Sequence, residues 1–248
     1  TEKPLLLIVE DNSDVRKYII SHLEDDYRIQ EAVDGEDGLE QALNQIPDLI
    51  ISDVLMPKLD GFELCEKLKT DEKTSHIPII MLTAKATSQD KIEGYETGAD
   101  DYIMKPFDAA ELIARIKNLI EIRRKLQEKF SADDFNIPKE LSLIDEQFMN
   151  RVLQVINEHI SEEEFSIEEF EGEFTMSRAQ IHRKLKALIG KSPSRFIRAV
   201  RLAKAKRMMA EREGNISEIA YSVGFGSPAY FSKCFKEEYG CSPSDFFS

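Results

Sequence analysis

The chain has 248 residues, 42% of them hydrophobic and 32% charged, with a formal net charge of −14. That length allows one or two globular domains, and the longest uncharged apolar run, about six residues, is far short of the ~20 that span a bilayer. Three cysteines, Cys65, Cys234 and Cys241, without a histidine pair at ligand spacing, argue against a zinc site or a disulfide framework and fit a reducing compartment.

Four strand-length apolar runs open the chain, each ending at polar residues. Leu5-Leu6-Leu7-Ile8-Val9 meets Glu10-Asp11, and Leu49-Ile50-Ile51-Ser52 meets Asp53; Ile79-Ile80-Met81-Leu82 ends at Thr83, and Tyr102-Ile103-Met104 at Lys105-Pro106. A helix-like segment follows each run, so the pattern reads as βα repeated, an α/β fold with an open parallel sheet. Ligands of such sheets bind outside the carboxyl ends of the strands. Three carboxylates, one hydroxyl and one ammonium would converge there. Clustered carboxylates raise one another's pKa unless a cation compensates, and oxygen-only donors suit Mg²⁺. An aspartate beside such an ion can attack phosphorus and form an acyl phosphate, with a fixed cation and a hydrogen-bond donor receiving the charge on the phosphoryl oxygens. Asp53 fits the nucleophile, Glu10 and Asp11 a metal-binding pair, Lys105 the cation and Thr83 the donor. Single acidic residues after strands also serve as helix N-caps and turn residues, but unrelated caps need not compose one site. Gly61 and Gly98 fit tight turns.

Asp108 to Phe130 predicts a long helix. Leu112, Ile116, Leu119, Arg123, Leu126 and Phe130 alternate by four and three, a short coiled-coil spacing, although packing on the sheet followed by a charged linker explains it better. Ser131 to Leu143, containing Pro138, reads as a hinge. A helix from about Asp145 to His159 follows, with Phe148, Val152, Ile156 and Ile160 on one side.

Charge divides the halves. Residues 1–124 carry 15 basic and 27 acidic side chains, residues 125–248 carry 18 and 20. Residues 158–173 hold eight acids and no Lys or Arg, and residues 178–212 hold twelve bases and one acid. Such a stripe is the footprint of a phosphate-binding surface, unless it is only a solvated helix face. The second half is also doubled. Gly190-Lys191-Ser192-Pro193-Ser194-Arg195-Phe196 recurs fifty residues on as Gly240-Cys241-Ser242-Pro243-Ser244-Asp245-Phe246, with Ser177 matching Ser227. Two copies of one helical unit are predicted. In the first, Ser177 and Gln180 have capping-box spacing and Ile181, Leu185 and Leu188 form the core face; Arg178, His182, Arg183 and Lys186 are left on or near the outward face. In the second, Ile216, Ile219 and Ala220 line a stripe, Gly224-Phe225-Gly226 turns, and Ser227 caps a helix with Phe231 and Phe235 inward. A second helix presented this way fits a DNA major groove.

Val9-Glu10-Asp11-Asn12, Ser52-Asp53-Val54-Leu55-Met56-Pro57 through Asp60-Gly61, Leu82-Thr83-Ala84 and Lys105-Pro106-Phe107 resemble the receiver domain of two-component response regulators, over residues 4 to about 122. The resemblance implies a (βα)5 doubly wound fold, phosphoryl transfer to Asp53 from a histidine kinase, and Mg²⁺ held by Glu10, Asp11, Asp53 and the Leu55 carbonyl. It also implies Thr83 and Lys105 on the phosphoryl oxygens, Tyr102 as a rotamer switch coupled to Thr83, and a cis Lys105-Pro106 bond. Residues from about Phe148 to Phe247 resemble the AraC-type DNA-binding domain, all-helical with two helix-turn-helix motifs. By that resemblance Ala179, His182 and Arg183, and Ala229, Tyr230, Ser232 and Lys233, would read bases; Arg bonded to guanine is the commonest specific contact.

Two positions depart from the pattern. Glu171 stands where a small residue packs, and Thr175 replaces the turn glycine, a poor choice for a left-handed conformation; both predict a strained or weak first motif. The expected organisation is a receiver over 1–124, a helical extension and linker over 125–144, and a DNA-binding domain over 145–248. The reading is a phosphorylation-regulated transcription factor, not an enzyme beyond self-phosphorylation on Asp53. The chain also resembles the C-terminal part of a hybrid two-component sensor, with the kinase in the same polypeptide, at the cytoplasmic face of an inner membrane. DNA, a histidine kinase, a second phosphorylated copy and RNA polymerase are the expected partners. The alternative is a phosphotransfer module whose helical half binds protein.

Overall fold

A computed structural model describes residues 3–84, 98–130, 137 and 140–247. Most of the predicted hinge lies outside the described residues. The chain divides into two compact units, Thr1–Glu128 with Glu140–Asp145, and Lys129–Lys139 with Glu146–Ser248. Among the described residues no helix is long and apolar enough to cross a membrane.

The first unit is an α/β receiver-type fold. Strands β1 (Leu5–Val9), β2 (Arg28–Ala32), β3 (Leu49–Asp53), β4 (Ile79–Thr83) and β5 (Asp101–Met104) form one parallel sheet in the order β2-β1-β3-β4-β5. Helices α1 (Ser13–Leu23), α2 (Gly35–Gln45), α3 (Gly61–Thr70) and α4 (Ala109–Phe130) accompany them. Alternation along the strands splits the core. Leu7, Val9, Ile50, Ile79 and Met81 pack with Ala42, Leu64 and Leu68 of α2 and α3. Leu6, Ile8, Leu49, Ile51, Ile80, Leu82 and Ile103 pack with Ile19, Leu23, Leu112 and Ile116 of α1 and α4. Burial on both faces makes β1, β3 and β4 read as unbroken apolar runs. The edge strand β2, Arg-Ile-Gln-Glu-Ala, buries only its last residue completely and shows no such run. On α4 the predicted seam is spent on this unit's own sheet, where Leu112 and Ile116 are buried and Leu119 partly so.

Strand order reverses between β1 and β3, which opens a crevice at their carboxyl ends. Asn12, Asp34 and Asp60 cap α1, α2 and α3 beside it, each accepting from the helix's first free N–H groups. Gly61 has no room for a side chain, because a Cβ there would lie 2.1 Å from the Asp53 carbonyl oxygen.

The second unit is all-helical. It contains α5 (Leu143–Glu158) from Glu146 onward, then α6 (Ile167–Gly172), α7 (Arg178–Ile189), α8 (Pro193–Ala210), α9 (Ile216–Ser222), α10 (Pro228–Tyr239) and α11 (Pro243–Phe247). The duplicated units are α6–α7 and α9–α10, joined by α8. Capping boxes start α6 at Ser166/Glu169, α7 at Ser177/Gln180 and α9 at Asn215/Glu218. Gly190 and Gly240, at φ 69° and 75°, close α7 and α10, where a left-handed residue satisfies the last carbonyls. Phe148, Val152, Ile156, Ile160, Phe170, Ile181 and Leu185 are buried in the first half of the unit. Ile219, Ala220, Val223, Phe231 and Phe235 form a cluster with Leu202, Ala205 and Met209 of α8.

The first motif does not store the expected backbone strain. Among described non-glycine residues, positive φ occurs at Ile46, Lys58 and Arg212, not at Thr175. The chain leaves α6 through a right-handed cap at Glu173, with N–H groups of Glu173 and Phe174 bonded to Phe170 and Glu171, so the left-handed step taken by Gly224 (φ 78°) is not repeated. Nor does all of the basic stripe face outward. Lys184 is fully buried, its ammonium 4.8 Å from the Phe148 ring centroid.

Candidate functional site

Strand ends and their loops assemble one polar pocket in the first unit. A carboxylate oxygen from each of Glu10, Asp11 and Asp53 lies within 4.8 Å of the others. Lys105, which directly follows β5 and precedes Pro106 across a cis bond, donates to Glu10 Oε2 at 2.7 Å and lies 3.0 Å from Asp53 Oδ2. The loop is held by the Lys105 N–H donating to the Thr83 carbonyl at 2.7 Å. Arg16 Nη1 donates to the Glu10 carbonyl at 2.6 Å, and the Val54 N–H donates to Asp53 Oδ1 at 2.8 Å.

The electrostatics follow from burial. Glu10 is 1% exposed, and desolvation pushes its carboxyl up while the Lys105 hydrogen bond pulls it back. Burial works against the Lys105 ammonium, but its hydrogen bonds to Glu10 and Asp53 outweigh that and raise its pKa. Lys105 is therefore a fixed cation at neutral pH, already placed against Asp53. Three hard oxygen donors at this spacing fit a divalent ion.

Thr83 ends β4, half-buried, next to β3 in the sheet. Tyr102 on β5 is half-buried and packs against the core on the α2–α3 side. Leu55 lies in the loop from β3 to α3 and is 61% exposed. One contact beside this loop escapes sequence reasoning. Lys58, at φ 68° in the same loop, donates a short hydrogen bond to Asp34, the N-cap of α2. The Asp37 N–H and Lys58 hold that carboxyl below the usual range. Lys58 follows a proline among turn residues, and nothing in the local sequence points to Asp34.

In the second unit, Arg178, Ala179, His182, Arg183 and Lys186 of α7 are exposed, as are Ala229, Tyr230 and Lys233 of α10; Ser232 is half-buried. Position 179 occupies the same place in the first motif as 229 in the second. Arg178 is 3.5 Å from both Glu168 and Glu171 of α6, so the residue that replaces a small one in the first motif holds a basic side chain at the start of the outward helix. Arg201 of α8, one of the twelve bases of the stripe, is half-buried and donates to backbone carbonyls within the unit.

Residues 6–117 match the response regulator receiver domain model, and residues 172–248 match a helix-turn-helix domain model. Across 247 residues, 99% of the chain, it is 42% identical to Histidine kinase P4 of Formosa agariphila, covering 18% of that protein. Over 146 residues, 58% of the chain, it is 39% identical to the DNA-binding dual master transcriptional regulator RpaA of Synechocystis, covering 61% of it. Over 116 residues, 46% of the chain, it is 42% identical to the response regulator ArlR of Staphylococcus aureus, covering 52% of it. The chain thus spans about a fifth of the first relative and little more than half of the others.

These matches correct one expectation. The second unit is assigned to the helix-turn-helix class by the model that matches it, and the AraC-type assignment does not stand. A receiver domain joined to a helix-turn-helix domain is the architecture of a phosphorylation-linked, DNA-binding regulator.

Proposed function

We propose that the chain is a transcription factor gated by phosphorylation of Asp53. The observation that carries this reading is the pocket geometry, with Lys105 bridging Glu10 and Asp53 beside Asp11. A histidine kinase, in the same polypeptide or another, supplies the phosphoryl group. An Asp53 carboxylate oxygen attacks phosphorus, the phosphorus–nitrogen bond of the donor phosphohistidine breaks, and the imidazole leaves. Mg²⁺, held by Glu10, Asp11, Asp53 and the Leu55 carbonyl, would neutralise charge on the transferring group. Lys105 supplies a fixed positive charge where the phosphoryl oxygens accumulate negative charge, and the Thr83 hydroxyl donates a hydrogen bond to them. Movement of Thr83 toward the acyl phosphate leaves room for Tyr102 to turn inward, remodelling the β5 surface so that two receivers pair. Pairing raises the effective concentration of the second DNA-binding unit at a repeated site, where Arg178, Ala179, His182, Arg183 and Lys186, with Ala229, Tyr230, Ser232 and Lys233, face the DNA. RNA polymerase is the partner such a regulator would address, in the cytoplasm.

A second reading has an observation of its own. The Glu168 and Glu171 carboxylates beside Arg178 oppose phosphate binding at the first motif, as in a phosphotransfer module whose helical half binds protein. Incubation with acetyl phosphate and Mg²⁺, followed by selection from random-sequence DNA at two salt concentrations, tests the two. Phosphorylation lost in Asp53→Asn, together with salt-sensitive selection of particular sequences, supports the transcription factor. Phosphorylation without DNA selection supports the second reading, and an unmodified Asp53 defeats both.

A further inference from the structure

Arg201 sits midway along α8, the helix that joins the two helix-turn-helix motifs. Its guanidinium donates through Nη1 to the Gly224 carbonyl at 2.8 Å and through Nη2 to the Glu162 carbonyl at 2.6 Å. Gly224 belongs to the turn of the second motif; Glu162 belongs to the lead-in to the first, between α5 and α6. One planar fork therefore fastens the two motifs to each other and to the helix between them. The contact surface is close on both sides. A Cβ at Gly224 would lie 2.6 Å from the Ile160 carbonyl oxygen and 2.8 Å from Arg201 Cζ, and one at Gly226 would lie 2.0 Å from Glu163 Oε1. Gly224, at φ 78° and against the Ile160 backbone, is thus required where turn and lead-in meet, whereas the neighbour of Gly226 is the movable end of the Glu163 side chain. Arg201 Nε is buried without a hydrogen-bond partner, so the guanidinium is placed for the two carbonyls even at the expense of its third donor direction. A lysine has no such fork.

We infer that Arg201 is a positioning residue that sets the distance and rotation between the two outward helices, and thereby the spacing of the two DNA half-sites the chain accepts. The inference rests on the DNA-binding reading above, and it names a source of specificity separate from any base contact. Inserting one base pair moves the second half-site by about 3.4 Å and turns it by about 34°. A locked pair of motifs rejects that change; a loose pair follows it.

Two measurements test this in the full chain, comparing wild type with Arg201→Lys and Gly224→Ala. Spin labels at Ala179→Cys and Ala229→Cys, two exposed and equivalent positions, with Cys241→Ser in the background, report the distance between motifs without DNA. Duplexes recovered from a random pool by the wild-type chain, and derivatives with one base pair added or removed between half-sites, report spacing preference. The wild type should give one narrow distance distribution and lose about tenfold or more in affinity on the altered spacings. Both variants should broaden the distribution and cut that loss to about threefold or less. A narrow distribution in both variants, or an undiminished spacing preference in a variant whose far-ultraviolet circular dichroism is unchanged, overturns the inference. A wild type that selects no DNA defeats the DNA reading and with it the spacing role, whatever the label distances show.

Discussion

Replacing Lys105 by Met removes the charge from the centre of the pocket with little change in side-chain length. Its ammonium is 2.7 Å from Glu10 and 3.0 Å from Asp53, whose side chains are 1% and 12% exposed. Removing one partner of a buried ion pair costs about 3–5 kcal/mol, because the remaining charge stays desolvated. Lys105 is itself 21% exposed and Asp11 lies on the open side, so water reaches the gap and reduces the figure to roughly 2–3 kcal/mol. The loss must depend on pH. Glu10 has a folded pKa raised by burial, so its protonated form is the one the fold favours; that contribution is complete below the unfolded pKa and lost as pH rises through the folded one. Without Lys105 the carboxyl is pushed further up, and the deficit at pH 7.5 should shrink toward pH 5 as Glu10 takes up a proton. Pulsed hydrogen exchange along a urea titration, read on peptides covering residues 5–11 and 49–54, isolates this unit's transition. A deficit below about 0.5 kcal/mol at pH 7.5, or one that is equal at both pH values, refutes the account of the pocket as a cation-balanced carboxylate cluster.

Gly61→Ala should lower the melting temperature of the receiver and slow phosphoryl uptake, since its methyl meets the Asp53 carbonyl at 2.1 Å and overpacking of this kind costs about 1–3 kcal/mol; an unaltered melting curve would contradict it. The Nδ1–H of the His159 imidazole donates to the Glu162 carboxylate at 3.0 Å, and that hydrogen bond raises its pKa above 6.5. Its contribution to the helical unit is therefore complete below 6.5 and lost as pH rises through the elevated value; a nuclear magnetic resonance titration of His159 ending at or below 6.5 removes the pair from the account. Arg183→Ala should cost about 1–3 kcal/mol on the selected duplex and relax preference at one base position, while Lys186→Ala should weaken all sequences alike and lower the salt slope by about one. Equal behaviour of the two variants would put both residues on the phosphates.

Residues at strand ends were the most legible part of the chain, because β1, β3 and β4 are buried on both faces and must end where polar loops begin. The same logic hides β2, an edge strand whose Arg28, Gln30 and Glu31 leave no apolar run. In the helical unit the core faces of α7 and α10 were legible from spacing, since Ile181, Leu185 and Leu188, and Phe231 and Phe235, recur at helical intervals and are buried. What a charge count cannot see is direction. Lys184 ends over the Phe148 ring, and Arg201 ends on two backbone carbonyls, although each looks like one more base in a phosphate-binding stripe. Glu171 was legible as a large acid at the place Ala220 takes in the second motif, but its contact with Arg178 depends on how α6 and α7 pack. Thr175 was misread because a turn of equal length can be closed by right-handed residues, here at Glu173.

The most direct test of phosphorylation gating is the affinity of the full chain for a selected duplex before and after acyl phosphate formation, with Asp53→Asn alongside. The account predicts that acetyl phosphate with Mg²⁺ tightens wild-type binding by about tenfold or more, a coupling of at least ~1.4 kcal/mol, and leaves Asp53→Asn unchanged. Equal affinity of phosphorylated and unphosphorylated wild type, or equal tightening of the variant, would contradict it.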